Sequence, residues 1–152
     1  SIVNLQNLGE RQIKIDCDVI QADGGTRTAS ISGGFVALYQ AVNFLKKNYN
    51  INKPIIKEFI GAVSAGIVND QACLDLNYNE DALAQVDANF VICESGKIAE
   101  IQTTGEEYFF SRNQFNDLFD LANNGIVEII KKQKESLKTW IQINERDFIF
   151  LK

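Results

Sequence analysis

Hydrophobic and polar residues alternate near the start of the chain and then change to a helical spacing. A strand is predicted where apolar side chains stand at every second position, at Ile13, Ile15, Cys17 and Val19. Gly24 and Gly25 interrupt this alternation. A helix is predicted after them, with apolar residues spaced to cover one helical face: Phe35, Leu38, Val42 and Leu45. The first 50 residues therefore predict a strand, a glycine turn and a helix laid on a sheet. Gly33 and Gly34, near the start of that helix, are expected to pack closely against a neighbouring backbone.

Two β-hairpins are predicted in the middle of the chain. The apolar run 59–68 is rich in β-branched residues and is followed by Asn69 and Asp70, which favour a turn. Residues 72–76 then return as the partner strand. A polar segment covers 77–85, and residues 90–93 and 98–102 flank a turn to form the second hairpin.

The last long helix has a defined beginning. Ser111 and Gln114 form a capping box, and Phe110 and Phe115 are spaced as the hydrophobic staple around it. Its apolar face is predicted to extend to about Leu137. The segment 139–152 follows no helical period, and we expect it either to add a strand or to fray. It contains an apolar run, Phe148–Leu151, which is an association hazard if it is exposed.

Composition narrows the class of protein. The 152 residues are 45% hydrophobic, as in a globular domain, and no run is long enough to cross a bilayer. The three cysteines lie far apart, which is typical of a reducing compartment, so we expect a cytoplasmic protein without a membrane partner. Without histidine, Ser-His and Cys-His catalysis are excluded. A net charge of −5 argues against binding nucleic acid by bulk electrostatics.

The glycine turn is a candidate anion site. Gly25 allows a ligand to approach the backbone, and Thr26 opens a helix whose free N–H groups attract negative charge. The guanidinium of Arg27 can hold a phosphate or a carboxylate through two parallel hydrogen bonds. From these residues alone two interpretations stay open, a capped helix start with a solvated arginine and an anion site of unknown purpose.

Two carboxylates form the second candidate constellation. Asp75 lies within the predicted partner strand of the first hairpin, and Asp81 follows in the loop after it. A strand end and the loop after it can bring two carboxylates to one point. Magnesium is bound by one or two carboxylates together with substrate phosphates. The alternative is that Asp81 caps a short helix over 82–86 while Asp75 faces water.

The motifs QADGGTRTASISG and DLNYNED resemble the RNase PH family of phosphorolytic exoribonucleases, from about Leu8 to Leu137. The resemblance implies an α+β fold, with a mixed β-sheet packed by helices, of the RNase PH type (ribosomal protein S5 domain 2-like). The chain is expected to be the C-terminal part of that domain without its N-terminal part. Residues 1–138 would form it, and 139–152 would be a divergent tail.

The resemblance also implies a reaction. Inorganic phosphate, bound by Gly25, Thr26 and Arg27, would trim RNA 3′ ends and release nucleoside diphosphates, reversibly. Asp81 and Asp75 would be catalytic and would bind Mg²⁺. Asp87 falls on another aspartate position of the family, where a functional and a structural role both stay open. The RNA is expected to be precursor transfer RNA or ribosomal RNA, and the enzyme a homo-oligomer, from a dimer to a hexameric ring.

Departures from the family pattern leave other functions open. Thr103 stands where relatives have glycine, and the family's upstream phosphate-binding arginine lies outside this sequence. The chain could therefore be an inactive remnant or a non-catalytic structural subunit of an exosome-like ring. A simple phosphate or nucleotide binder that uses only the glycine turn is a third class.

Overall fold

A computed structural model describes residues 1–106 and 108–147, with side chains up to Ile141. Four strands and four helices follow one another along the chain: α1 (Leu5–Leu8), α2 (Thr26–Tyr49), β1 (Ile60–Val68), β2 (Gln71–Leu74), α3 (Tyr78–Ala82), β3 (Val86–Cys93), β4 (Ile98–Gly105) and α4 (Arg112–Asp147). Within that part of the chain, the helices are too short or too polar to cross a membrane. The predicted α+β architecture, a sheet packed by helices, is confirmed.

The strands form one sheet in the order β2-β1-β3-β4. Every strand pair in the described residues is antiparallel, so the predicted mixed sheet is corrected on this point. For the pairs β1–β2 and β3–β4 the reason is the length of the connections, because tight turns join antiparallel neighbours whereas parallel neighbours need a long crossover. Asn69 and Asp70 make such a turn between β1 and β2, with φ angles of 50° and 61°. Both predicted hairpins are therefore present.

Strand β1 is buried on both faces, which explains its unbroken apolar sequence. Helix α4 covers one face and contributes side chains to a core around Phe90, which has no exposed surface. Helix α2 covers the other face, where Phe35 packs against Ala62 and Val91. Full burial of a side chain such as Phe90 contributes about 1.5–3 kcal/mol. The sheet is thus held between the two long helices.

The segment 13–19 is not a strand, contrary to the prediction from its alternating pattern. A strand needs a hydrogen-bonded neighbour, and no described strand pairs with this segment. It lies instead against α2, where the Cys17 thiol donates to the carbonyl oxygen of Ser30 at 3.8 Å. A Cβ atom on Gly34 would meet only side-chain atoms of this segment, at 3.8 Å, and one on Gly33 would meet nothing within 4 Å. The predicted close packing of these glycines against a neighbouring backbone is therefore wrong.

Helix α4 begins as predicted and continues further than predicted. The Gln114 N–H donates to Ser111 Oγ at 3.2 Å, and the Ser111 N–H donates to Gln114 Oε1 at 2.8 Å. The helix extends to Asp147, so the prediction of a non-helical segment from 139 is wrong as far as that residue. No glycine or proline occurs in 126–147, and helix-favouring residues continue. Phe148–Leu151 lies outside the described residues.

Candidate functional site

The glycine turn lies directly on the acidic segment that follows β2. A Cβ atom on Gly24 would be 1.8 Å from the carbonyl oxygen of Leu76, so only glycine allows this contact. Asp23 links the same two segments, because its Oδ1 accepts from the N–H of Gly24 at 2.9 Å and from that of Tyr78 at 2.5 Å. The fold therefore brings together two motifs that are about 50 residues apart in sequence.

Helix α2 begins with an open, uncapped N-terminus. Its N-cap, Gly25, has a φ of 70° and supplies no side-chain cap, and the first turn contains no acidic residue. The hydroxyl of Thr26 donates to the carbonyl of Asp23 at 3.0 Å, and that of Thr28 to the carbonyl of Gly25 at 2.8 Å. The first backbone N–H groups of a helix have no partners within it, and they carry the positive end of the helix dipole. This geometry suits an anion.

Arg27 is engaged elsewhere than at the turn. Its Nη2 donates to Glu100 Oε1 on β4 at 2.6 Å, and both side chains are about half exposed. An exposed ion pair of this kind contributes about 0.2–1 kcal/mol. The guanidinium of Arg27 can therefore release Glu100 and bind another anion at little cost in free energy. Glu100 is 73 positions from Arg27. No local spacing signalled the pair, and sequence reasoning missed it.

Asp75 lies beside the start of α2. Its N–H donates to the carbonyl of Ser64 at 2.8 Å, and its φ is 55°, a left-handed conformation unusual outside glycine. That conformation costs of order 1–2 kcal/mol, less for aspartate than for most residues. Asp75 Oδ1 is 3.5 Å from the point where a Cβ would stand on Gly25. The two sequence-predicted constellations, the glycine turn and the first carboxylate, are thus in contact.

Asp81 faces two other carboxylates. It lies within α3, whose N-cap is Asn77, so the alternative that it caps a helix over 82–86 is wrong. Asp81 shares a surface pocket of about 700 Å³ with Asp87 and Glu106. Partial burial raises the pKa of Asp87, and the negative charges of Asp81 and Glu106 raise it further. Sequence reasoning named Asp87 but did not predict that it lies near Asp81 and Glu106.

The acidic residues offer few protein ligands for a metal ion. Among the described residues, no group of three or more acidic, cysteine or histidine side chains could hold a metal ion. Magnesium needs fewer protein ligands when substrate phosphates complete its shell. The exposed carboxylate of Asp75 lies beside the glycine turn, where it could bind a magnesium ion together with a bound phosphate. Asp81 lines a pocket with Asp87, and Asp75 is not among the described residues that line that pocket.

Ser64 is a residue of this site that sequence reasoning missed. It lies on β1, is 3% exposed, and its Oγ has no hydrogen-bond partner. The Oγ is 3.0 Å from the point where a Cβ would stand on Gly25. A signal was present in the sequence, because Ser64 is the one hydroxyl residue within the apolar run of β1.

Sequence comparison relates the chain to RNA-degrading enzymes. Residues 58–125 match the family model described as the 3′ exoribonuclease family, domain 2. The chain is 51% identical to ribonuclease PH of Exiguobacterium sibiricum over 146 residues, which is 95% of this chain and 58% of that protein. It is 53% identical to ribonuclease PH of Bacillus pumilus over 135 residues, covering 88% of this chain and 56% of that one. The chain thus spans somewhat more than half the length of these relatives.

Structural comparison supports the same fold. The crystal structure of rice (Oryza sativa) Rrp46 matches with a TM-score of 0.61 at 18% identity, covering 78% of this chain and 49% of that one. At this identity the match concerns the fold alone. The residues that match the family model, 58–125, include Asp75, Asp81 and Asp87, whereas the glycine turn precedes them.

Proposed function

Nearly the whole chain corresponds to the C-terminal portion of ribonuclease PH, and on that premise we propose that it supplies the phosphate-binding and acidic parts of a phosphorolytic exoribonuclease. The observation that carries the proposal is the contact between the start of α2 and the segment of Asp75. Gly24 packs on Leu76, and Asp75 Oδ1 lies next to Gly25. A phosphate site and a carboxylate are the groups that an attack by inorganic phosphate requires at one place.

The start of α2 would bind the attacking phosphate. Its oxygens accept hydrogen bonds from the free N–H groups of the first helical turn, where the helix dipole also favours negative charge. Arg27 leaves the weak ion pair with Glu100 and donates to the same phosphate. The chain would thereby fix the nucleophile in position, which is the larger part of catalysis in phosphoryl transfer.

The reaction exchanges one phosphate ester bond for another. An oxygen of inorganic phosphate forms a bond to the last phosphorus of the RNA, while the bond from that phosphorus to the preceding 3′ oxygen breaks. The products are a nucleoside diphosphate and an RNA one nucleotide shorter, whose 3′ oxygen takes up a proton. Asp81 would donate that proton. Asp81 lies at the surface pocket that Asp87 and Glu106 also line, beside the segment that carries Asp75.

Magnesium is a proposed cofactor. Asp75 would bind it on the phosphate side, and Asp81 is the second candidate ligand. When bound, the ion would neutralise the charge of the phosphate groups. The work of orienting the phosphate remains with α2 and Arg27.

The RNA and the assembly are also proposals. Relatives named ribonuclease PH support RNA as the substrate. Following the resemblance of the two motifs to the RNase PH family, we propose that this RNA is the 3′ end of precursor transfer RNA and that the chain acts in a ring of copies. The chain has a net charge of −5, which repels a polyanion. Positive charge for the RNA would therefore have to come from local lysines, from a partner or from further chain.

The test measures phosphate-dependent shortening of RNA. The chain is incubated with magnesium, inorganic phosphate and a transfer RNA that carries a 3′ extension. The chain is assayed alone and together with the N-terminal portion of the Exiguobacterium sibiricum ribonuclease PH, which is the portion of that enzyme that the chain does not match. We expect nucleoside diphosphates in the combined reaction and little product from the chain alone.

The controls separate phosphorolysis from hydrolysis and from contamination. Omitting phosphate must stop the reaction, and nucleoside monophosphates as products would contradict a phosphorolytic mechanism. Arg27→Ala must abolish activity that belongs to this chain. Robust trimming by the chain alone, lost in Arg27→Ala, would show that it is self-sufficient. Absence of trimming in the combined reaction, with both parts folded and associated, would overturn the proposed function.

A further inference from the structure

The hydroxyl of Ser64 is buried next to the glycine turn and has no hydrogen-bond partner. The side chain is 3% exposed, and among the hydrogen bonds of the described residues its Oγ takes part in none. A buried hydroxyl without a hydrogen bond costs free energy that an alanine at the same position would not cost. Because buried polar groups in proteins nearly always have a hydrogen-bond partner, the atoms around Ser64 Oγ indicate which partner it would take.

Three polar atoms lie around the side of Gly25 on which a side chain would stand. The point where a Cβ would stand is 3.0 Å from Ser64 Oγ, 3.4 Å from Thr28 Oγ1 and 3.5 Å from Asp75 Oδ1. Thr28 Oγ1 already donates to the carbonyl of Gly25, so its proton is engaged. Ser64 alone among the three has a hydroxyl proton with no acceptor. Because Gly25 has no side chain, no Cβ atom of residue 25 stands among these three polar atoms.

We infer that Ser64 is a further phosphate-binding residue, a donor that β1 supplies to the anion held at the start of α2. The inference rests on the proposed function, since it names one more contact of the same phosphate site. A phosphate oxygen seated over Gly25 would accept from Ser64 Oγ and from the first N–H groups of α2. A protonated phosphate oxygen would donate to Asp75, which explains how a carboxylate can border an anion site.

The position of Ser64 on the sheet agrees with this role. Side chains alternate between the two faces of a strand. Val63 and Ala65 face the core on the α4 side, whereas Ala62 faces α2. Ser64 therefore points to the α2 side, under the first turn of that helix. Its carbonyl also accepts from the N–H of Asp75, which fixes that carboxylate beside the turn.

The test compares phosphate affinity with stability. Inorganic phosphate is titrated into the wild-type chain and into Ser64→Ala, and the dissociation constant is measured by calorimetry. We expect phosphate to bind about tenfold more weakly, the usual effect of losing a hydrogen bond to a charged group. The unfolding midpoint in urea should stay the same or rise, because an unpartnered hydroxyl has been removed. A purely structural role would instead lower both stability and affinity.

Thr103→Val is the matched control. Thr103 Oγ1, on β4, is likewise buried without a partner, but the residue is two positions from Ile101, which packs on the α4 side of the sheet. We expect Thr103→Val to leave phosphate affinity unchanged. Ser64→Cys, which keeps a weak donor, should lose less affinity than Ser64→Ala and serves if the alanine variant does not fold.

The outcomes distinguish this inference from the proposed function. If the wild-type chain binds phosphate and the folded Ser64→Ala variant binds it equally well, the inference is overturned and the phosphate site stands. If Ser64→Ala and Thr103→Val weaken binding alike, the inference is also overturned, because the effect is general. If the wild-type chain binds no phosphate, the phosphate site of the proposed function is overturned, and the inference with it.

Discussion

Gly24 and Leu76 are in contact through their backbones, and a Cβ atom on Gly24 would stand 1.8 Å from the Leu76 carbonyl oxygen. This contact joins the glycine turn to the segment after β2, which begins with Asp75. Since no real Cβ could occupy that point, a side chain at Gly24 must push the two segments apart. The geometry of the site therefore depends on a glycine that touches no ligand in the proposed mechanism.

Gly24→Ala should destabilise the chain by about 1–3 kcal/mol, the usual cost of overpacking a tight site. It should also weaken phosphate binding, because the turn is displaced from Asp75. Gly33→Ala is the control, since a Cβ there would meet nothing within 4 Å. In a helix interior this change should stabilise by about 0.5–1 kcal/mol. Urea unfolding measures both, and equal stabilities of the two variants would contradict the steric account.

Arg27→Ala should weaken the binding of inorganic phosphate by about 1.5–3 kcal/mol, the contribution of a hydrogen bond to a charged group. Arg112→Ala removes an exposed arginine at the start of α4 and should leave the affinity unchanged. A calorimetric titration gives both values. Unchanged affinity in a folded Arg27→Ala variant would remove the guanidinium from the site.

Glu100→Gln should strengthen phosphate binding. The carboxylate of Glu100 holds Arg27 at 2.6 Å, and phosphate must compete with it for the guanidinium. The expected gain is at most about 1 kcal/mol, because an exposed ion pair contributes no more than that. The effect should shrink as salt is added, since salt screens exposed charges. Weaker binding in this variant would show that Glu100 positions Arg27 for phosphate and does not compete with it.

Asp87→Asn should raise the stability of the fold near neutral pH. The pKa of Asp87 is raised in the folded chain above its ordinary value of 3.8, so the folded state binds more protons than the unfolded state between the two values. Stability therefore falls as pH rises through that window, and the loss is complete above the folded pKa. The gain of the asparagine variant should disappear as pH falls towards 3.8. Urea unfolding across pH measures it, and a pH-independent difference would rule out titration as the cause.

Asp81→Asn should abolish phosphate-dependent shortening of RNA in the combined reaction while RNA binding stays nearly unchanged. A group that acts on the transition state affects turnover more than ground-state binding. Asp70→Asn, which alters an exposed carboxylate in the β1–β2 turn, is the control and should keep activity. Release of nucleoside diphosphates at a near wild-type rate by Asp81→Asn would reject the proton-donor role.

Local patterns in the sequence determined the elements that local forces build. The two hairpins follow from turn residues such as Asn69 and Asp70, and the start of α4 follows from the capping box of Ser111 and Gln114. These interactions span a few residues, so their spacing is readable without a fold. The glycine turn was likewise predicted correctly as the beginning of a helix.

Tertiary structure decided what depends on distant neighbours. The alternation over 13–19 has the period of a strand, but no neighbour pairs with it among the described residues, and pairing is what makes a strand. Two features of the site depend on such neighbours: the ion pair of Arg27 with Glu100, and the pocket that Asp81 shares with Asp87. The spacing of these residues in the sequence follows no pattern that predicts a contact. The hydroxyl of Ser64 could be read from the sequence as a polar residue in an apolar strand. Only the packing of α2 on β1 places it beneath Gly25, because the face and register of a strand are set by what covers it.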